Sequence, residues 1–431
     1  MINEQAVELN ETIKRSNPAV LNLLSEKGKN IFFPKKGINA QAADAKGKEI
    51  NATIGIALND DKSPMRLSAV EECVRLPPQE VFPYAPSYGD SVLRTEWKNE
   101  ILKKNPSLKA SISNPVVTNA LTHGLSVVGY LFLDENQELL MTDKFWGNYR
   151  LIFEHAYGAK IVGYNTFRSS GFDLDAFEEA FQGSGKKVLL INAPNNPSGY
   201  TPTENELERM SSIVKKYAES GNEVLVICDD AYFGLVYEEG PYTESPFNFF
   251  ANLHENVLAV KVDGATKEYF AWGLRVGFLT YASKGMTKEC FEALESKTAG
   301  VIRGNISSDS KLSQSIVLKA LHSDSMASDK QKNFEVLKER VVEMKEVLKD
   351  EKYAEFFSAL PFNSGYFVCL ELNESLDAEE VRQVLLKDYS TGVISMGKSL
   401  LRIAFSCVPK NKIRTLLDNI YEACQKQRCL K

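Results

Sequence analysis

The absences in this chain narrow its class before any motif does. No apolar run approaches the roughly 20 residues that a membrane-spanning helix needs. The opening residues, Met1-Ile2-Asn3-Glu4-Gln5, have neither the basic nor the apolar stretch of a secretory leader. Cysteine is sparse and odd in number, seven residues with no Cys-x-x-Cys pair. That argues against a disulfide framework or a cysteine-rich zinc site and fits reduced thiols in the cytoplasm. The four histidines stand at no metal-ligand spacing, so no metal is expected. Neither sign of charge dominates: 51 Lys and Arg face 57 Asp and Glu, a formal charge of −6. General attraction to nucleic acid or to an anionic membrane is therefore not expected. Internal repeats and low-complexity tracts are missing too. One glycine-rich stretch, Gly183-Ser184-Gly185-Lys186-Lys187, lacks the first glycine of a phosphate loop and the Ser/Thr after its lysine. A helix-to-strand turn is the better reading of it.

What is present is an ordinary globular composition, 431 residues with 43% apolar and 25% charged side chains, long enough for two domains. From about residue 110 to 285, apolar strands alternate with amphipathic segments, the rhythm of an α/β fold with a mostly parallel sheet. Strands are expected at 187–192, 223–228 and 257–262, and a shorter one at 51–57. Residues 204–218 have helical spacing, with Leu207, Met210, Ile213, Val214 and Tyr217 on one face. A charged helix over 328–349 and strands at 365–370 and 401–405 predict a second, smaller α+β domain.

The chemistry concentrates where strands end. The strand over 257–262 delivers Lys267 to a small-residue turn, and Arg275 follows eight residues later between glycines. An amine that can form a Schiff base beside a guanidinium that can fork a phosphate suits a cofactor carrying both an aldehyde and a phosphate. The strand over 187–192 ends in Asn192-Ala193-Pro194-Asn195-Asn196-Pro197, a proline-locked turn at the carboxyl end, where open α/β sheets bind ligands. The next strand ends in Asp229-Asp230-Ala231-Tyr232. Two carboxylates there are costly unless one meets a cation, and a protonated pyridine nitrogen would be such a cation. Leu121-Thr122-His123-Gly124-Leu125 opens an apolar helix whose free N–H groups suit a phosphate. Trp146 offers a ring for stacking.

Taken together, these stations resemble the class I/II aminotransferases of the pyridoxal-phosphate fold-type I superfamily, the aspartate aminotransferase-like kind. The resemblance runs from about Ile54 to Phe405, in the family's order and approximate spacing. It implies a large cofactor-binding domain over 61–324 with a mostly parallel seven-stranded sheet, and a small α+β domain of 1–60 with 325–431. It implies pyridoxal 5'-phosphate as cofactor, with Lys267 carrying its Schiff base, Arg275 on its phosphate and Asp229 on its pyridinium nitrogen. Asn196 and Tyr232 would bond the phenolic oxygen, and Trp146 would stack on the ring. His123, Gly124 and Leu125 would form the phosphate turn, with Thr266 as a further phosphate ligand. Tyr84 resembles the tyrosine that reaches the phosphate of a neighbouring subunit, which implies a homodimer with shared active sites. Arg402 matches the arginine that clamps the substrate α-carboxylate, with Gly55 and Asn196 beside it. Two positions depart from the pattern: Gly264 stands where a serine is frequent, and so does His123.

The activity this implies is amino-group transfer from an L-amino acid to a 2-oxo acid. Arg303 falls where acid-specific relatives carry a partner-subunit arginine, so aspartate or glutamate is the favoured donor and aromatic amino acids come next. A surface role for Arg303 is as good a reading of its local sequence. Relatives with the same core also run β-elimination, which makes a C–S or other lyase the alternative. A non-catalytic, cofactor-binding regulatory module is more remote, because too little chain precedes Ile54 for a DNA-binding domain.

Overall fold

Seven strands form the main sheet of the computed structural model, which describes residues 3–34 and 37–429. They are Val116–Asn119 (β1), Glu138–Thr142 (β2), Lys160–Tyr164 (β3), Lys187–Asn192 (β4), Val224–Asp229 (β5), Val257–Gly264 (β6) and Val276–Ala282 (β7). Their spatial order is β1-β7-β6-β5-β4-β2-β3. Only β7 runs against its neighbours; the other pairings are parallel. The sequence explains the centre of this order. β4, β5 and β6 are apolar on both faces and buried along nearly their whole length, as strands covered by helices on each side must be.

Register then sets the stage for the site. Asn192 pairs with Asp229, and Asp229 with Val262, so these carboxyl ends lie side by side. β6 runs two residues past its expected end, to Gly264, because it also pairs with β7 there. A Cβ on Gly264 would sit 2.5 Å from Val276 O and 2.8 Å from Gly277 Cα. No serine fits that position without opening the sheet, which accounts for the departure seen in the sequence.

Helices cover both faces. The expected amphipathic helix runs Glu204–Glu219 and buries Leu207, Met210, Ile213, Val214 and Tyr217. A capping box between Thr203 and Glu206 starts it, worth on the order of 1 kcal/mol. Among the described residues, no helix is long and apolar enough to cross a membrane.

A second, antiparallel sheet holds Phe357–Ala359 (β8), Phe367–Leu372 (β9), Ile394–Met396 (β10) and Leu400–Ala404 (β11), ordered β8-β9-β11-β10. The charged helix leading to it is Met326–Val347. One expectation fails: residues 51–57 are not a strand. Only Ile50–Asn51 pairs, in parallel with Thr391–Gly392. Beyond it the chain is held by single bonds, Ala404 N to Ala52 O and Leu58 N to Ser406 O, with no neighbouring strand in register to extend a ladder.

Candidate active site

Five carboxyl-end segments and the second sheet enclose a cavity of about 210 Å³. Its floor is set by strand alternation. Asp229 and Asp230 are consecutive at the end of β5, so their side chains point to opposite faces. Asp230 turns away and pairs with the buried Lys261 of β6, also accepting from Ser245 Oγ at 2.6 Å. Asp229 turns into the cavity. There its Oδ2 accepts the Tyr149 phenol at 2.6 Å and its Oδ1 accepts Ala231 N–H at 3.1 Å. Burial raises its pKa, while the Tyr149 hydrogen bond and nearby Lys267 oppose the rise. The two carboxylates thus take different cations: Lys261 neutralises Asp230, and Asp229 is left for the cavity.

Lys267 lies three residues beyond β6 and is the cavity's amine. Its Nζ stands 5.1 Å from the Tyr232 ring centroid. Burial, reinforced by Arg275, brings its pKa down to about 8 against the pull of Asp229. An amine whose pKa is lowered toward neutral pH suits Schiff-base chemistry.

Arg402, on β11, approaches from the second sheet. Its side chain is buried, yet no carboxylate pairs with it among the described residues. One guanidinium nitrogen donates to Thr53 O at 2.9 Å and the other to Asn196 Oδ1 at 3.3 Å, while Nε has no partner. The Phe367 ring lies 4.4 Å away. A buried cation lacking a counter-ion is costly unless an anion completes it. Asn196 is positioned by its own N–H on Asn192 Oδ1 at 2.8 Å, and its side chain also bonds Tyr232.

A second anion position lies beside Lys267. The Thr266 hydroxyl is buried without a hydrogen-bond partner among the described residues. Arg275, held at φ 56°, is exposed as a residue, yet partial burial of its guanidinium lowers its pKa, a cost that a bound anion would offset. It donates to Trp272 O at 3.2 Å and has no acidic partner among the described residues. The helix Ala120–Phe132 starts here and lends the N–H groups of its first turn. An orphan hydroxyl, a free guanidinium and a helix start form a donor set that fits a phosphate.

At that helix the side chains differ from expectation. Leu121, Thr122 and Leu125 line the cavity. His123 instead accepts Asn119 N–H on Nδ1 at 3.0 Å, and Gly124 packs on Thr118 and Val262. The turn of an α-helix explains this: residues one and four apart share the cavity side, and Gly124 is rotated onto the sheet. Trp146 and Gly55 also line the cavity. Tyr84 and Arg303 do not; they are exposed on the outer surface, Tyr84 by 92%. Residues that the motif reading had not assigned complete the wall: Tyr149, Asn192, Ile38 and Phe367. Tyr149 was signalled only by standing three residues after Trp146; Ile38 carried no signal.

The profile described as "Aminotransferase class I and II" matches residues 53–420. The "Probable aspartate/prephenate aminotransferase" of Aquifex aeolicus is 26% identical over 249 residues, 57% of this chain and 60% of that protein. The "Probable N-acetyl-LL-diaminopimelate aminotransferase" of Bacillus subtilis is 27% identical over 245 residues, 56% of each. The chain therefore spans little more than half the length of these curated relatives. A crystal structure of an aminotransferase from Anaerococcus prevotii superposes with a TM-score of 0.81 at 24% identity, covering 93% of this chain and 99% of that one. The chain belongs to the class I and II aminotransferases, a family of pyridoxal-5'-phosphate-dependent enzymes with the fold-type I architecture described above.

Proposed function

We propose that this chain is a pyridoxal-5'-phosphate-dependent transaminase that moves an amino group from an L-amino acid to a 2-oxo acid. The observation that carries this reading is the convergence of Lys267, Asp229 and Arg402 on one cavity. Amine, carboxylate and unpaired guanidinium are the three charges the reaction uses.

The bound cofactor supplies an electron sink for the negative charge that develops at the substrate Cα. The rest is done by side chains of this chain. Lys267 holds the cofactor through its amine. With its amine free, Lys267 would move the proton at the substrate Cα, a task suited to a pKa of about 8. Asp229, its negative charge favoured by Tyr149, would hold a proton on the cofactor's ring nitrogen. Tyr232 and Asn196 would bond the cofactor's phenolic oxygen. Arg402 orients the substrate carboxylate as a fork of two donors. Thr266, Arg275 and the N–H groups of Leu121 and Thr122 would hold the phosphate, and Trp146 lines the cavity where the ring would stack.

Aspartate or glutamate is the favoured donor, with aromatic amino acids next, and the assembly is a homodimer. Two features support this. Tyr84 and Arg303, both assigned to a partner's site by the family resemblance, are exposed. The segments that follow them in the chain are joined by Ser87 Oγ on Ser307 O at 2.8 Å. Domains over 61–324 and over 1–60 with 325–431 fit the pairing of Ile50–Asn51 with Thr391–Gly392.

The test is amino transfer from a panel of single amino acids to 2-oxoglutarate or oxaloacetate. Preferred transfer from aspartate or glutamate, weakened in Arg303→Leu, supports the reading. Unchanged dicarboxylate kinetics in that variant removes the acidic preference, and accumulation of pyruvate with ammonia makes the enzyme a lyase.

A further inference from the structure

An ionic clamp lies on the reverse side of the lysine loop. Glu268 follows Lys267 and points away from the substrate cavity. Its carboxylate accepts Lys104 Nζ at 2.9 Å, from the end of helix Ser91–Lys104, and Lys330 Nζ from helix Met326–Val347. Both ammonium groups also stand over the Tyr269 ring, 5.5 and 4.6 Å from its centroid. The Glu268 side chain is only 8% exposed, and it borders a separate cavity of about 600 Å³. Burial alone would raise its pKa, but the two lysines hold it down at about 2, so it stays ionised at neutral pH.

The loop it grips is strained. Between Lys267 and Arg275, two residues other than glycine take left-handed backbone, Phe270 at φ 51° and Arg275 at φ 56°. Such conformations persist where the surroundings over-determine them. From the other side, the Tyr366 hydroxyl donates to Lys267 O at 3.2 Å. Lys330 and Tyr366 both come from chain beyond residue 324, so two bonds tie the lysine loop to the C-terminal part of the molecule.

We propose that Glu268 is a positioning residue for Lys267. Its clamp pins the strained loop to helix Met326–Val347, fixing the lysine against Arg275, and transmits displacement of that helix to the lysine. This rests on the reading of Lys267 as the residue that holds the cofactor.

The test uses full-length Glu268→Gln, Lys330→Met and the double variant. In protein free of cofactor, hydrogen exchange over residues 265–275 is expected to quicken about tenfold in each single variant while β4 and β5 keep wild-type protection. In the loaded enzyme, each single variant lowers kcat about tenfold with little change in KM, Glu268→Asp restores part of it, and the double variant is no worse than the worse single. Uniform exchange across the protein, unchanged kcat, or additive losses in the double variant would overturn the proposal. If Glu268→Gln fails to fold, Lys330→Met decides alone on exchange and the split of kcat from KM. The exchange result stands whether or not the wild type transaminates, so a failure of the clamp and a failure of the functional reading are told apart.

Discussion

The Tyr149 phenol donates a 2.6 Å hydrogen bond to Asp229 Oδ2 inside the cavity. Both groups are buried, and the bond is charge-assisted. Its loss is worth about 1.5–3 kcal/mol, roughly ten- to hundredfold in rate if it acts through the ionised Asp229. Tyr149→Phe removes a donor to the carboxylate, so the Asp229 pKa rises further. Activity should fall by that factor, and the acid side of the pH–kcat profile should move to higher pH.

Lys267 has a depressed pKa, about 8, so in cofactor-free protein the native state holds fewer protons on it than the unfolded chain does between about pH 8 and 10.5. Stability therefore rises with pH across that window, and the cost of the buried amine is full below it. Lys267→Met should stabilise the cofactor-free protein at pH 7 by up to about 3 kcal/mol, a gain that fades toward pH 10.5. Denaturant unfolding at several pH values measures it.

Arg402→Lys keeps the charge but loses the fork, and it cannot hold Thr53 O, Asn196 and a carboxylate together. We expect kcat/KM to fall about a hundredfold, mostly through KM, as initial-rate kinetics would show.

Asp309 is buried, its carboxylate oxygens have no hydrogen-bond partner among the described residues, with His123 Nδ1 3.9 Å from Oδ1, and burial raises its pKa to about 7. The native state then holds the proton more tightly than the unfolded chain, so stability falls as pH rises from about 4 to about 7 and levels above. Asp309→Asn should match wild type near pH 4 and exceed it at pH 8 in thermal melts.

How legible this was in the sequence depended on whether a residue's role is local. β4, β5 and β6 show as runs of apolar residues because they are covered on both faces; Asp229 ends β5, Lys267 follows β6, and Arg275 stands just before β7. Asp230 and Lys261 could not be paired from the sequence, since only the register of β5 against β6 makes them neighbours. Tyr149 finds its acceptor 80 residues away. At the helix start, Leu121, Thr122 and Leu125 line the cavity while His123 and Gly124 do not, a rotation that the order of residues alone does not give. The segment over 51–57 looked like a strand because its composition is apolar; pairing partners, not composition, decide a ladder.

The most direct test of the central claim is the absorbance spectrum of wild type and Lys267→Ala, each mixed with pyridoxal 5'-phosphate and then with aspartate. The account predicts a visible Schiff-base band in the wild type that aspartate bleaches and a 2-oxo acid restores, with no such cycle in Lys267→Ala. A wild type without the band, or a variant that cycles at the wild-type rate, would contradict it.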